Sequence, residues 1–597
     1  MILPAPGIPW QVTGNHWLCL PCIHPVDASI HLAGVVHAAS RGAIEFAGNP
    51  QFAQGGGPPL VALAISVDGN PRPIGAEGMV WEREFSWLPT FSCVIDNIAL
   101  RGSILAPFGR DADLAGAIIS VSLENRGANA VTAAIGVNGV LGHRQHRVQS
   151  PRVFDDAHSV RASGTSDMPS VILEGHVDPT AFAIGSSDGG ARRNVDQSAA
   201  MWLLSHDVSL APGEKSEHAF LIAAGSEADG AVAMLDVMRR RGWRDLAATT
   251  RRELQRLEQS TSEPSVDRLI NRNLAFAVFT GIARAIDDQR IYPVRSRVPW
   301  NGRGLTITDW DALIWLLPAA QLADPVLARE LLLRVCELHG HSPGFGVRYL
   351  DGAVFAPAFS LEGLSSYAIA VDEYIVQTGD DKIVDEPILA ETLYTAHEDL
   401  NDHRHSRLPL YSTEVNPDGS IPAHPYTAHG NAVAAFALEV LARTLDEKTA
   451  EKVQDAESVR ASTLRHFSVE GADGRSRFIS STNLDGATTS NDDPAASLYW
   501  LPYFHLVGRD DSLYRRTVKQ WETASSDLLV ERCARLLGPG SSALLDWLRR
   551  APLDDGVAAE FVGADGKVTG NGGDAVGSAM IAYLAWYAVH ALGAKVG

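Results

Sequence analysis

The chain has 597 residues, about four times the length of a typical single domain, so two or three domains are expected. Its 71 acidic residues outnumber its 50 Lys and Arg residues, and the resulting net charge of −21 repels nucleic-acid phosphates and anionic membranes. With 45% hydrophobic and 20% charged residues, and no apolar run of the ~20 residues that cross a bilayer, the composition is typical of a soluble globular protein. Nucleic-acid and membrane partners are therefore not expected.

The N-terminal sequence MILPAPGIPW lacks the basic region and the continuous apolar stretch of a secretory signal, which predicts a cytoplasmic protein. Five cysteines do not make a disulfide framework, and the CxxC pair of Cys19 and Cys22 has no second pair at metal-binding spacing. The sequence thus predicts neither a metal site nor a cofactor. A homo-oligomer is compatible with the sequence, which contains nothing that decides the oligomeric state.

Residues 1–225 consist of short β-type runs broken by Gly, Pro, Asn and Asp. In one of these runs, Ile119, Val121 and Leu123 alternate toward one face and lead into a turn at 125–127. This pattern predicts a large antiparallel β-sandwich, or supersandwich, as the N-terminal domain.

Residues 226–264 change to helical periodicity, with a break at Gly242, and predict a helical linker. Residues 265–597 contain amphipathic stretches that predict about twelve helices, one of them near 494–506. Twelve helices in series suggest six hairpins closed into an (α/α)6 barrel, which would be a single catalytic domain. Three connections of more than twenty residues, 403–426, 467–493 and 551–572, are longer than packing needs, so function is expected there.

The segment VPWNGRGLTITDWDALIWLL places Trp300, Arg303, Trp310 and Asp311 at and before the start of a helix. Aromatic faces pack on sugar rings, and a neighbouring aspartate can accept hydrogen bonds from two hydroxyls, so this segment suits carbohydrate. An alternative of equal weight is structural, with Asp309 as an N-cap and Trp310 as a core residue.

Two later loops carry candidate catalytic carboxylates. Glu414 and Asp418 lie in the loop 403–426, where Asp418 belongs to an Asn-Pro-Asp-Gly turn and therefore has a structural explanation. Glu560 lies in the loop 551–572 between small apolar residues and Phe561, where partial burial would suit it to proton transfer. Two separated carboxylates are the minimum equipment of an inverting glycosidase, although both could be ordinary loop acids.

Three stretches resemble the six-hairpin glycosidases, in particular glycoside hydrolase family 63, the family 15 glucoamylases and the glucosidase half of glycogen debranching enzymes. The resemblance covers about residues 265–597, and the domain order before them is similar as well. The stretches are TDWDALIWLLPAAQLADPVLARELL, SLEGLSSYAIAVDEYIVQTGD and AAEFVGADGKVTGNGG.

The resemblance implies an inverting hydrolase in which Glu560 matches the general base. The general acid would fall in the loop 403–426, with Glu414 as first choice and Asp418 in reserve. The chain departs from the pattern here, because it has Ser-Thr-Glu-Val-Asn where the clan often has an aspartate beside Trp, Met or Asn. Trp310 and Asp311 match the sugar-binding pair of the innermost subsite. Glu362 occupies the place of an aspartate in debranching enzymes, which makes it a sugar ligand or a second choice for the acid.

The function predicted from these residues is an exo-acting, inverting glycoside hydrolase that releases a terminal sugar, expected to be α-linked glucose, without a cofactor. The substrate would be a neutral carbohydrate, and His429 would line the cleft or cap its loop. Two alternatives remain open, a glycoside phosphorylase that uses inorganic phosphate and a non-catalytic carbohydrate-binding protein.

Overall fold

A computed structural model of the chain describes residues 8–110, 112–154, 158–471, 474–490, 496–521 and 527–596. These residues form two compact units. Unit 1 contains those within Met1–Glu258, Ile282–Ile291 and Ser296–Leu305, and unit 2 contains those within Gln259–Gly281, Tyr292–Arg295 and Thr306–Gly597.

Unit 1 consists mainly of antiparallel strands. In chain order they are β1 (Gln11–Gly14), β2 (Leu18–Ile23), β3 (Ile30–His37), β4 (Gly42–Ala47), β5 (Ala62–Val67), β6 (Asn70–Arg72), β7 (Val80–Glu84), β8 (Leu88–Ile95), β9 (Ile98–Leu105), β10 (Gly116–Asn125), β11 (Val131–Val140), β12 (His143–Arg147), β13 (Pro151–Val153), β14 (His158–Gly164), β15 (Pro169–Gly175), β16 (Ala181–Ser186), β17 (Arg192–Asp196), β18 (Met201–Leu210), β19 (Lys215–Gly225) and β20 (Ile282–Arg284).

Strands β1 to β19 form three sheets within the described residues. Their orders are β1-β2-β3-β4-β12-β13, β14-β15-β16-β19-β10-β9-β8-β7 and β17-β18-β11-β5-β6. Ile119, Val121 and Leu123 on β10 belong to the apolar core of this unit, as their alternation predicts. The turn after β10 is held by the Asn125 side chain, whose Oδ1 accepts a hydrogen bond from Gly127 N at 2.9 Å. The predicted antiparallel strands of the N-terminal half are confirmed.

Two helices follow the last sheet strand, α1 (Ala228–Arg241) and α2 (Trp243–Leu257). Leu235 and Met238 are buried on α1, which packs against β16 and β19. Gly242 separates the two helices with a φ of +82°, a backbone conformation that a side chain would disfavour.

Unit 2 is mainly helical. A helical segment begins at Asp309 and passes through a π-helical turn, Asp311–Leu316, into α4. The helices are α3 (Pro264–Gly281), α4 (Leu317–Ala323), α5 (Pro325–His339), α6 (Leu361–Thr378), α7 (Pro387–Asp402), α8 (Ala428–Thr444), α9 (Glu447–Ala450), α10 (Ala456–His466), α11 (Ser512–Lys519), α12 (Leu529–Ala534), α13 (Ser541–Arg550) and α14 (Ala575–His590). The short strands are β21 (Ile291–Pro293, beginning in unit 1), β22 (Ile307–Thr308), β23 (Phe345–Arg348), β24 (Val354–Phe359), β25 (Tyr426–Thr427), β26 (Ser468–Glu470), β27 (Ser476–Phe478), β28 (Ser481–Thr482) and β29 (Thr488–Thr489).

The helices of unit 2 contact one another in a cyclic order. The turn Asp311–Leu316 contacts α6, α6 contacts α8, and α8 contacts a single 3-10 turn at Leu498–Trp500. That turn contacts another at Arg535–Leu537, which contacts α14, and α14 returns to the turn Asp311–Leu316. The predicted helix near 494–506 is wrong for the residues described there, because only the turn Leu498–Trp500 forms.

The long connections lie where the sequence predicts them. One joins α7 to α8, one joins α13 to α14, and the described part of 467–493 contains the small strands β26 to β29. Among the helices in the described part of the chain, none is both long and apolar enough to span a membrane.

Candidate active site

The starts of three helical segments in unit 2 bring Trp310, Glu362 and His429 together. The ring of Trp310 lies 5.7 Å from that of His429, edge to face, and Phe504 packs against both at 5.9 and 5.4 Å. His429 Nδ1 lies 3.0 Å from Glu362 Oε1. Three predicted site residues from separate parts of the chain therefore form one buried cluster.

A shared local pattern places these three residues. Each follows a capping Ser or Thr by two positions, because Thr308, Ser360 and Thr427 each accept a hydrogen bond through the side-chain oxygen from the backbone N–H three residues later, at 3.1 to 3.2 Å. In each of the three helical segments, the second residue of the first turn is therefore the predicted site residue, Trp310, Glu362 or His429. This repeated Ser/Thr-x-functional residue pattern is visible in the sequence and is a signal that could have linked them.

The pair of Glu362 and His429 is buried within the helices. Both side chains are at most 1% exposed. Glu362 Oε2 and His429 Nε2 have no hydrogen-bond partner among the described residues. Space is tight here, since a Cβ atom on Gly430 would lie 3.0 Å from Glu362 Oε1 and 2.6 Å from Thr427 Oγ1.

Asp311 takes part in a buried ion-pair bridge. Arg295 donates from Nη1 to Asp311 Oδ2 at 2.8 Å and from Nη2 to Asp574 Oδ2 at 2.7 Å. Burial lowers the pKa of the Arg295 guanidinium, but the charges of Asp574 and Asp311 outweigh it and raise that pKa. The bridge joins the residue after Trp310 to the residue before α14. Sequence reasoning missed Arg295 and Asp574, because no spacing pattern connects them.

Asp309 is buried among three neighbouring polar groups. Its Oδ2 accepts a hydrogen bond from Gly344 N at 2.7 Å, and its Oδ1 lies 2.8 Å from His339 Nδ1 and 3.6 Å from Arg348 Nε. Burial raises the pKa of the Asp309 carboxyl group. The contact with His339 and its charge, the charge of Arg348 and the hydrogen bond from Gly344 N outweigh this effect, so the pKa lies below its ordinary value. The cap of this helical segment is Thr308, so the N-cap role suggested for Asp309 is wrong.

Glu414 lies in the loop before α8 and is exposed. Its Oε2 accepts a hydrogen bond from Phe359 N at 2.9 Å, while Glu414 N donates to Phe359 O at 3.0 Å. His403 stacks on the Phe359 ring with a centroid distance of 3.4 Å. Asp418, also exposed, accepts hydrogen bonds through Oδ1 from Ser420 N and Oγ at 2.9 and 2.6 Å, the arrangement of an Asx turn.

Glu560 is half-buried in the loop before α14. Its N–H donates to Asn571 O at 3.0 Å. Two residues earlier, Ala558 N donates to Ser578 Oγ on α14 at 3.1 Å, and Ala558 O accepts from Asp574 N at 3.1 Å. The backbone that carries Glu560 is therefore attached to the first turn of α14.

Trp300 and Arg303 belong to unit 1. Trp300 is buried, and Arg303 N donates to Asn301 Oδ1 at 3.1 Å. Their segment is tied to unit 1 by the hydrogen bond from Leu305 N to Val148 O at 2.8 Å. The site described here contains residues of unit 2 only.

A cavity of about 290 Å³ opens beside Trp310. Its walls come from the start of the Asp309 helical segment, the β23–β24 hairpin, the first turn of α6 and the loop before α8; they include Trp310, Val347, Ala356, Val415 and Ile421. In the part of the chain that the structure describes, no group of three or more His, Cys, Asp or Glu side chains could hold a metal ion.

No family model and no curated protein sequence matches the chain. Solved structures do match it. A protein assigned as a kojibiose phosphorylase, from the human microbiome, superposes with a TM-score of 0.57 and 9% identity over 99% of this chain and 90% of that chain. A bacterial glucoamylase solved with acarbose superposes with a TM-score of 0.60 and 10% identity over 100% and 96% of the two chains. The chain therefore shares the fold of the six-hairpin glycosidases.

Proposed function

We propose that the chain is an exo-acting, inverting glycoside hydrolase that releases a terminal α-linked glucose from a small glycoside or oligosaccharide. The observation that carries this proposal is the convergence of Trp310, Glu362 and His429 at the starts of three helical segments, beside a cavity. An aromatic ring backed by buried polar groups suits binding of a sugar ring. The shared fold with a glucoamylase and a kojibiose phosphorylase supports sugar chemistry.

The proposed scaffold is an (α/α)6 barrel of residues 265–597. The cyclic order of contacts from the turn Asp311–Leu316 through α6, α8 and α14 supports a closed ring of helices. In such a ring the starts of these helices lie at one end. The long loops before α8 and α14 then carry the two candidate carboxylates to that same end.

In the proposed mechanism, Glu414 donates a proton to the glycosidic oxygen as the bond from that oxygen to the anomeric carbon breaks. Glu560 takes a proton from a water molecule whose oxygen bonds to the anomeric carbon from the opposite face. This inversion requires about 6.5–9.5 Å between the two carboxyl groups, which leaves room for the water. Trp310 packs on the sugar ring.

Glu362 is better suited to a positioning role than to proton donation. It is 0% exposed, and His429 occupies its Oε1. His429 in turn packs against the edge of Trp310. Glu362 thus holds His429 in place, and His429 in turn supports Trp310. In the same way, the Arg295 bridge holds Asp311 next to Trp310.

Sugar release by active-site variants tests the assignment. Glu414→Gln and Glu560→Gln should each lose at least a hundredfold in turnover while remaining folded, because proton transfer contributes ~10²–10⁴-fold. Asp418→Asn is the matched control, since it alters a carboxylate in the same loop that forms an Asx turn, and it should retain near-normal turnover. Normal turnover in Glu560→Gln would remove the base from the mechanism.

A glycoside phosphorylase is the second candidate, because one of the two solved structures above is assigned as a kojibiose phosphorylase. Phosphate would then replace the base and its water. A carboxylate at Glu560 would repel phosphate, which favours the hydrolase. Measuring sugar release with and without inorganic phosphate decides between them, because a phosphorylase requires phosphate. Sugar binding without any release would instead support the non-catalytic alternative.

A further inference from the structure

The cavity beside Trp310 is mainly apolar, although a sugar ring needs polar partners. Aliphatic and backbone surface from Val347, Ala356, Pro357, Val415 and Ile421 forms most of its wall. A hydroxyl-rich ligand placed against such a wall would lose hydrogen bonds to water without replacing them.

Three polar side chains in the wall, Thr308, Asp309 and Ser360, already have partners. Thr308 Oγ1 accepts from Asp311 N, and Ser360 Oγ accepts from Gly363 N. Asp309 is held by Gly344 N and lies against His339. These groups are committed to helix capping and to the hairpin, which leaves few polar groups in a mainly apolar wall to recognise a second sugar.

The cavity is lined by the residue that follows Glu414, the proposed proton donor. Val415, which lines it, directly follows Glu414, and the Glu414 carboxylate is held by Phe359 N at the end of β24, the strand that contributes Ala356. In an inverting glycosidase the general acid protonates the leaving group. The leaving group is therefore the part of the substrate that would enter this cavity.

The volume of the cavity and the exposure of Ile421 at its mouth indicate which kind of ligand would bind there. The volume of about 290 Å³ is roughly twice the ~150 Å³ of a cavity that accepts benzene, which corresponds to a two-ring group. Ile421 at the cavity is 83% exposed, so a large aliphatic side chain stands in water there. An apolar ligand would cover it and gain free energy from the buried area.

We propose that this cavity binds an apolar aglycone, of the aryl or alkyl class, so that the substrate is a glycoside of a hydrophobic alcohol rather than an oligosaccharide. That the substrate contains a sugar rests on the proposed hydrolase function. That its other part is apolar rests on the cavity alone and can be tested separately.

Binding of 1-naphthol, a two-ring aglycone without sugar, tests the cavity by fluorescence titration of the full chain. Ala356→Trp fills the cavity from an exposed strand position and should weaken binding at least tenfold. Ile421→Asp makes the mouth polar and should weaken binding at least fivefold. Val376→Asp is the matched control on α6, an aliphatic side chain that is 75% exposed and does not line the cavity, and it should bind like the wild type. Absence of saturable binding in the wild type, or equal affinity in all three variants, would overturn the proposal.

Hydrolysis separates this inference from the proposed function. If the wild type releases glucose from methyl α-glucoside and 1-naphthyl α-glucoside, the kcat/KM for the naphthyl glucoside divided by that for the methyl glucoside should fall at least fivefold in Ile421→Asp and stay constant in Val376→Asp. An unchanged ratio in Ile421→Asp would contradict the aglycone site while leaving the hydrolase intact. If neither glucoside is cleaved but naphthol binding responds to the variants as expected, release of glucose from simple glucosides is excluded while the cavity assignment stands.

Discussion

Glu362 Oε1 and His429 Nδ1 lie 3.0 Å apart, although 67 residues separate them in the chain. The contact joins the first turns of α6 and α8, which also pack along their lengths. The same imidazole packs against Trp310. The pair therefore connects Trp310 in the candidate site to the buried interior of unit 2.

Loss of this pair should destabilise unit 2. His429→Ala leaves Glu362 buried without its partner, and an unsatisfied buried polar group costs about 1–3 kcal/mol. Denaturant unfolding followed by tryptophan fluorescence measures the change. His424→Ala, at a half-buried histidine in the loop before α8, is the control and should unfold like the wild type. Equal stability of both variants would show that the contact contributes nothing.

Gly430 should tolerate no side chain. The added Cβ of Gly430→Ala would approach Thr427 Oγ1 to 2.6 Å and Glu362 Oε1 to 3.0 Å, so the cap or the pair must shift. Overpacking of this kind costs about 1–3 kcal/mol, and we also expect sugar release to fall. Gly508→Ala, where an added Cβ meets no atom within 4 Å, is the matched control. A thermal unfolding temperature in Gly430→Ala that equals that of Gly508→Ala would contradict the packing argument.

The Arg295 bridge should be a strong stabilising feature. Arg295→Gln leaves Asp311 and Asp574 as buried, uncompensated carboxylates, which costs about 3–5 kcal/mol near neutral pH. Denaturant unfolding near neutral pH measures the change in the free energy of unfolding.

Arg443→Gln serves as the control for that prediction, because Arg443 pairs with Asp372 through a side chain that is 49% exposed. An exposed pair of this kind contributes at most about 1 kcal/mol. A deficit in Arg295→Gln that is no larger than that of Arg443→Gln would exclude a structural role for the bridge.

Glu373 on α6 should make stability depend on pH. Burial raises its pKa from 4.5 to about 7, against the opposing effect of hydrogen bonds from Tyr583 and Tyr503. Between pH 4.5 and 7 the folded chain holds a proton that the unfolded chain has lost, so rising pH removes stability, by up to about 3 kcal/mol above pH 7. Glu373→Gln should abolish this loss, whereas the exposed Glu391→Gln should keep it. Unfolding curves from pH 5 to 8 that coincide for both variants would contradict the assignment.

Periodicity predicted the strand-rich N-terminal half and the helix-rich C-terminal half, because both signals arise from local alternation of apolar residues. The residue types also pointed to Trp310, Glu362 and His429, which the structure brings together. The bridge from Arg295 to Asp574 joins residues 279 positions apart, so no local pattern could reveal it.

Local apolar spacing also predicted a helix near 494–506, where the described residues form the turn Leu498–Trp500. Tertiary packing, rather than local apolar spacing, determines the conformation of this segment. The ring of Trp500 packs at a tilt against that of Trp315, with 5.0 Å between the ring centroids, and a contact between two aromatic side chains does not require a helix on both sides.

The central claim is hydrolysis with inversion, and proton NMR of the first-formed sugar tests it most directly. Wild-type protein would be mixed separately with 1-naphthyl α-glucoside and methyl α-glucoside, whose leaving groups are not sugars, in phosphate-free buffer, and the anomeric signals followed before mutarotation. We predict that β-glucose appears first from any of these that is cleaved, and that Glu560→Gln abolishes the signal. Appearance of α-glucose first, or sugar release only after phosphate is added, would contradict the proposed mechanism.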